Sequence, residues 1–322
     1  MMPEPQTIGP VERALWWRAA APFTQVPPPL VAELARRSRE EVVRSGGIVG
    51  PAGGRARRVQ LLAEGRLVAR DGRGGSAELG APQVIGLIEL LAGAAPRGAL
   101  MADGEATILS IDGGALLDLL EDEFSLVIQV RQALGRCLAA WQRARGDWRP
   151  EAPLASDDAA PADLSRFVDR LLALQRAPLL RDFGVAVLAT VLREEIAERH
   201  PAGAALFAAG DRAERILLIG AGTVVATGPD GRELELGAGH LLGDNDALLG
   251  APHAYGAVCA TPATLIALAP QAIWDAAEDH AHVARALLRS AARQLLRLQP
   301  TAIATFEAPN ASPPAAGQEE SC

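Results

Sequence analysis

One spacing governs this chain. Leu61-Leu62-Ala63-Glu64-Gly65-Arg66-Leu67-Val68-Ala69 aligns with Leu218-Ile219-Gly220-Ala221-Gly222-Thr223-Val224-Val225-Ala226 at an offset of 157 residues (218 − 61). The same offset carries Gly46 onto Gly203, Gly53 onto Gly210, Glu78-Leu79-Gly80 onto Glu235-Leu236-Gly237, and Gly86 onto Gly243. It also carries Ala115, Asp118, Glu121 and Asp122 onto Ala272, Asp275, Glu278 and Asp279. A single spacing kept over such a span implies two copies of one unit. Each copy must then close a core within roughly 150 residues, an ordinary domain size.

The repeat divides the 322 residues into a first domain at 1–146, a linker at 147–163, a second domain at 164–299 and a tail at 300–322. Pro150, Pro153 and Pro161 lie among small and acidic residues in the linker, a composition suited to a semi-extended segment. The tail carries four prolines and ends in a polar run, which predicts disorder.

Within each copy the hydrophobic period changes in the same order. A helical segment comes first, at Pro28 to Arg44 in copy one, and at Leu164 to Leu174 with Val185 to Leu192 in copy two. Short strands punctuated by Gly follow. In copy two they fall at Glu194 to His200, Ala204 to Phe207, Arg215 to Ile219, Thr223 to Thr227 and Glu233 to Leu236. Gly228-Pro229-Asp230-Gly231 reads as a hairpin turn, because Asp-Gly supplies the positive φ that a tight turn needs. A short helix after Gly243, strands at Tyr255 to Ala260 and Thr264 to Leu268, and a long closing helix complete the unit. The closing helices span Phe124 to Ala144 and His280 to Leu298. The fold class is mixed α and β, with two tandem jelly-roll-like β-rolls, each flanked by helices.

Composition removes several functions. The chain contains no Lys, so all 31 of its basic residues are Arg. A Walker-A phosphate loop and a pyridoxal Schiff base both need that amine, and neither is available. The Arg, Ala and Gly bias fits the codon usage of a GC-rich genome. With 39 acidic residues the net charge is −8, the opposite of the balance that phosphate neutralisation favours, so no nucleic-acid partner is expected. Cys137, Cys259 and Cys322 are too scattered for a disulfide framework or a metal knuckle. The first residues carry Glu4 and no basic run, and apolar stretches such as Gly184 to Leu192 fall well short of the roughly 18 residues that a bilayer span needs. The expectation is a cytoplasmic protein with no membrane partner.

The order strand–Gly–strand, Gly with an acid, a one-turn helix, Pro with a cation, two strands and a long helix resembles the cyclic-nucleotide-binding domain of the catabolite activator protein and the protein kinase A regulatory subunits. That family's phosphate-binding cassette reads roughly F-G-E-x-A-L, followed by P-R-A. Copy two carries Leu242-Gly243-Asp244-Asn245-Asp246-Ala247-Leu248, then Pro252-His253-Ala254-Tyr255. Copy one carries Ile85-Gly86-Leu87-Ile88-Glu89-Leu90, then Pro96-Arg97-Gly98. The resemblance implies that a cyclic phosphate is matched by an Arg fork and backbone N–H groups, and that a Glu accepts the ribose 2′-hydroxyl.

Each copy departs from that pattern at a different letter. Copy one keeps Gly86 and Arg97, but Leu87 stands where the acid belongs, at a cost of about 1–3 kcal/mol for an unpaired hydroxyl. Glu89 lies two residues further on. Copy two keeps the acid as Asp244 but offers His253 in place of the Arg, a mostly neutral group with one donor. Two readings follow for both cassettes: a weakened pocket that takes cyclic AMP, cyclic GMP or another small anion, or a retained fold whose pocket has no ligand. Tyr255, the chain's single Tyr, is placed either to stack on a base or to fill the core.

Outside the cassettes, His280 and His282 sit at i, i+2 on a predicted helix and so face different ways, which argues against a cupin-type metal enzyme. Ser110, Ser125 and Ser165 lack a nucleophile elbow, and Cys137 and Cys259 lie in apolar settings that suit inert thiols. Trp16, Trp17 and Phe23 read as the staple of an opening helix, and Arg55, Arg57 and Arg58 as a solvated turn. The closing helices carry apolar stripes, Val127-Val130-Leu134-Cys137-Trp141 and Ala284-Leu288-Ala291-Leu295-Leu298. These serve either self-association or packing within the chain. Only 23 residues follow Gln299, too few for a helix-turn-helix output domain (322 − 299). The functional expectation is a non-enzymatic regulatory or sensor protein signalling by helix movement, with no metal. The alternative is a ligand-free module that docks an unknown protein partner.

Overall fold

The computed structural model describes residues 9–50, 53, 56–71, 76–148, 150–153, 164–193, 197–299 and 303–306. Most of the linker and of the tail therefore lies outside the described residues. The chain opens with α1 (Pro10–Ala19) and α2 (Pro28–Arg37). Trp17 is fully buried, edge-on to Phe23 with ring centroids 5.2 Å apart, and its indole N–H donates to Ser38 Oγ at 2.8 Å. The helix that the sequence predicts over Pro28 to Arg44 stops at Arg37, and β1 (Arg39–Val43) follows. The β-branched pair Val42-Val43 fits a pleated strand, and β1 gains a full ladder against β8 (Ala106–Asp112).

The first roll consists of β1, β2 (Ile48–Gly50), β3 (Arg58–Glu64), β4 (Arg66–Asp71), β5 (Ser76–Gly80), β6 (Gln83–Ile85), β7 (Gly98–Ala102) and β8. These strands form two antiparallel sheets in the orders β1-β8-β3-β6 and β2-β7-β4-β5. The second roll uses β9 (Ala197–His200), β10 (Ala205–Phe207), β11 (Ile216–Ala221), β12 (Val224–Thr227), β13 (Glu233–Leu236), β14 (Leu241–Leu242), β15 (Gly256–Cys259) and β16 (Ala263–Leu268). Its sheets run β9-β16-β11-β14 and β10-β15-β12-β13, the same order advanced by eight strands.

The repeat extends to register. Leu61 pairs with Leu109, and Leu218 with Ile266; Leu67 pairs with Ala102, and Val224 with Cys259. Each pair is displaced by the 157 residues read from the sequence. Even the irregularity between Leu62 and Glu64 in β3 recurs between Ile219 and Ala221 in β11. A bulge that recurs at the same offset belongs to the design of the unit.

Helices follow the same scheme. The cassette helices are α3 (Leu87–Ala92) and α8 (Asp244–Leu249), and the closing pairs are α4 (Gly113–Asp122) with α5 (Phe124–Arg145), and α9 (Pro270–Asp279) with α10 (Ala281–Leu298). Two further helices, α6 (Phe167–Gln175) and α7 (Val185–Val191), lead into the second roll. The closing helices pack on each other, and each also packs on the cassette helix of the other half, α5 on α8 and α10 on α3. Their stripes are consumed there: Val127, Val130 and Leu134, and Leu288, Ala291 and Leu295, are all buried. Of the two uses open to the stripes, packing within the chain is the one seen here. No helix among the described residues is long and apolar enough to cross a membrane.

Candidate functional site

The two cassettes share a backbone and differ in what fills it. Gly86 and Gly243 both adopt the left-handed conformation, φ 81° and 69°, where a side chain would be strained. A Cβ on Gly86 would meet a single neighbour, the Arg58 carbonyl at 2.9 Å. On Gly243 it would strike the His253 ring, 2.5 Å from Cε1. The space behind the second glycine is occupied by the chain itself.

In the second roll that occupant is an aromatic stack. His253 lies flat on Phe207 with centroids 3.7 Å apart, and Tyr255 meets Phe207 edge-on at 5.6 Å. The Tyr255 hydroxyl accepts the Gly243 N–H at 3.0 Å, one of the backbone donors that the resemblance would assign to a phosphate. Trp148, which follows α5, crosses from the linker and stacks on Tyr255 at 5.3 Å. It is so closely seated that a Cβ on Gly228 would collide with its indole ring. What remains is a cavity of about 20 Å³. Burial pushes the His253 pKa down against the pull of Asp211, so the ring is a neutral stacking surface. Asp246 Oδ2 accepts the Ala254 N–H at 3.0 Å. Tyr255 takes the core role, being 5% exposed.

Asp244, at the position of the family's sugar-binding acid, answers to a residue from the other half. Burial raises its pKa to about 6, opposed chiefly by Arg131 of α5 and less by the Asn245 backbone N–H. Arg131 is itself buried, with a pKa lowered to about 10, and it donates to Asn245 Oδ1 at 3.1 Å. Sequence reasoning missed Arg131 altogether. It sits beside the apolar stripe of α5, where a lone cation carries no local signal.

The first roll keeps its space. A cavity of about 360 Å³ opens between Val49, Gly50, Gln60, Ile85, Gly86 and Leu100, with Arg57 and Arg58 exposed at its rim. That volume lies within the range of small-molecule sites. Leu87 turns away from it into the helical core and is 1% exposed. Glu89 and Arg97 do not line it. Glu89 is buried, and its Oε1 accepts the Ala304 N–H at 2.9 Å. Burial raises its pKa, opposed by that N–H and by the charge of Arg97. Arg97 donates to the carbonyls of Leu296 and Gln299 at 2.9 and 2.8 Å. A guanidinium there satisfies orphan carbonyls at the negative end of α10. Arg97→Ala should therefore lower stability by about 1–2 kcal/mol even without any ligand, measured by urea denaturation.

Residues 303–306, beyond α10, come to this roll rather than to their own. The tail predicted as disordered is seated at 303–306: Ile303 is 4% exposed, and it joins the apolar interior of the first roll with Leu62, Leu67, Ile85 and Leu100. Trp148 does the same for the second roll, so each closing helix delivers its downstream segment into the opposite roll. Among the described residues no group of three or more His, Cys, Asp or Glu is placed to hold a metal, and His282 Nε2 lies 2.9 Å from the Phe183 carbonyl. Burial pushes the Cys137 thiol up to about 12 and raises that of Cys259.

The sequence model of the cyclic nucleotide-binding domain matches residues 197–280. Uncharacterized NTE family proteins of Mycobacterium tuberculosis and Mycobacterium bovis are 30% identical over 137 residues, 42% of this chain and 23% of theirs. The chain thus spans under a quarter of the length of the curated relatives it matches. Among solved structures, the regulatory domain of Toxoplasma gondii PKA with cAMP aligns at 14% identity over 84% of this chain and 92% of that one, with a TM-score of 0.34. The sensor domain of the transcriptional regulator DNR from Pseudomonas aeruginosa aligns at 20% identity over 40% and 89%, with a TM-score of 0.36. With the family match covering the second roll, and the first roll repeating its strand order, register and bulge, the chain carries the cyclic nucleotide-binding fold twice in tandem.

Proposed function

We propose that this chain is a non-enzymatic regulatory protein in which the first roll takes a small anionic ligand and the second roll is a filled structural partner. The regulatory class rests on the cyclic nucleotide-binding match; the assignment of roles rests on the two cavities, about 360 Å³ against about 20 Å³. Arg57 and Arg58 give the open cavity a positive rim, and Gly86 leaves its backbone approachable. With Leu87 in place of the acid, a cyclic nucleotide loses its sugar contact. Binding is then about one to two decades weaker than in a complete site. Ligand occupancy reaches the rest of the molecule through α3, on which α10 packs. Units at 1–146 and 164–299 joined by 147–163 move against each other in this scheme, and helix displacement is the signal. The second reading, a docking module with vestigial pockets, is favoured by one observation, the Trp148 and Tyr255 stack, and it applies to the second roll.

Calorimetric titration with cyclic AMP and cyclic GMP tests the proposal. A single weak site is expected, and Ala56→Trp, which fills the mouth of the cavity from a half-buried loop position, should abolish it. Silence with both nucleotides would transfer the docking reading to the first roll as well.

A further inference from the structure

The segment Ile303-Ala304-Thr305-Phe306 is attached to the first roll by specific contacts. Its Ile303 side chain is the only contribution from outside the first roll to that roll's apolar interior among the described residues, and it forms part of the wall of the open cavity. Its backbone is held at two successive residues. The Ala304 N–H donates to Glu89 at 2.9 Å. Gln299 then clamps Thr305 from both sides, its Oε1 accepting the Thr305 N–H at 2.9 Å and its Nε2 donating to the Thr305 carbonyl at 2.8 Å. Arg97 fixes the point where the segment departs, through the Gln299 carbonyl. Glu89 and Arg97 belong to the first cassette and the stretch that follows it, so residues 303–306 and the end of α10 engage side chains that the cassette offers.

The two rolls show different degrees of closure by the same device. Trp148 leaves almost nothing empty, and only glycine is tolerated beneath it at residue 228. Ile303 is smaller and leaves a nucleotide-sized space beside it. Glu89 Oε2 also remains without a hydrogen-bond partner among the described residues, inside an almost fully buried carboxyl group. A seat that is only partly filled and keeps an unsatisfied acceptor holds its occupant weakly.

We propose that residues 303–306 are a displaceable intramolecular occupant of one side of the first roll's cavity, an Ile-Ala-Thr-Phe segment that a small anionic ligand pushes off its seat as it binds. An anion drawn by the rim arginines Arg57 and Arg58 enters beside Ile303, and its body competes with the Ile303 side chain for the apolar wall. A tethered occupant lowers the apparent affinity of any competitor by the fraction of molecules in which the seat is taken. This inference rests on the reading of the first roll as a ligand site.

The experiment uses the full chain in two arms. Amide hydrogen exchange without ligand reads the seat: the Ala304 and Thr305 amides should be protected, and Ile303→Glu should remove that protection. Cyclic AMP is the probe in the second arm. Ile303→Glu should bind it about tenfold more tightly than the wild type, and saturating wild type with it should expose the same two amides. Unprotected amides in the wild type overturn the occupant while leaving the cavity reading intact. Protected amides with equal or weaker binding by the variant, or protection that rises on adding cyclic AMP, overturn competition. Protected amides with no binding by either protein overturn the ligand-site reading itself, and the displacement with it.

Discussion

Trp148→Ala should lower the stability of the chain by about 3–5 kcal/mol, the cost of emptying a buried aromatic site. Three observations set this magnitude. The side chain is 5% exposed, it stacks on Tyr255, and its indole N–H reaches Asp230 Oδ1 at 3.4 Å. No other residue from outside the second roll joins that roll's apolar cluster among the described residues. Collapse around the gap is limited, because Tyr255 is fixed at its hydroxyl by Gly243. Urea denaturation of the two proteins measures the loss. A loss under 1 kcal/mol would mean that Trp148 merely rests on the roll. The same variant opens a space behind Gly243, so it should also reduce cooperativity between the halves, visible as a broader calorimetric transition.

Arg131→Met should cost about 2–3 kcal/mol at neutral pH, through the lost charge-assisted hydrogen bond to Asn245 and the lost charge near Asp244. Arg131 is the largest influence holding the Asp244 carboxyl down against burial, with the Asn245 backbone N–H a smaller one, and without Arg131 the carboxylate loses its opposing charge. The pH dependence identifies the cause. In the wild type the folded state binds the Asp244 proton more tightly than the unfolded chain does. That contribution is fully present below the ordinary carboxylate range and is lost as pH rises to about 6. Removing Arg131 raises the carboxyl further, so the penalty of the variant should be large at pH 7.5 and shrink below pH 5, where Asp244 is neutral in both proteins. Adding Asp244→Asn to the variant should recover most of the loss at pH 7.5. A loss that is independent of pH, or that the second substitution leaves untouched, would assign Arg131 to packing alone.

Most of the fold was legible because it is carried by local pattern repeated once. The offset read from Leu61 and Leu218 reappears in strand pairing and in the bulge after Leu62 and Ile219, since register follows the alternation of apolar residues. Local pattern also explains the errors. Helical spacing runs on past Arg37, yet Val42 and Val43 enter a strand because β8 offers them a ladder. Strand β14 has two residues and gives no periodic signal at all.

The site was legible only in part, for a physical reason. The sequence predicted a short helix after the Gly of each copy, and the structure has one behind Gly86 and one behind Gly243. The sequence did not show that Trp148 and Ile303 cross into the opposite rolls, because those contacts join residues with no shared period. Nor did it place Arg97 on the end of α10 or Glu89 on Ala304, some 200 positions away in the chain. The half that matches the family model, residues 197–280, is the one whose cavity is filled. Likeness of sequence and availability of space have separated between the two copies.

A crystal structure of the full chain grown with cyclic AMP gives the most direct test. The account predicts nucleotide density in the first roll alone, against Gly86, with Trp148 still stacked on Tyr255 in the second. Density behind Gly243 with that stack displaced would contradict it, and so would two rolls equally empty at saturating nucleotide.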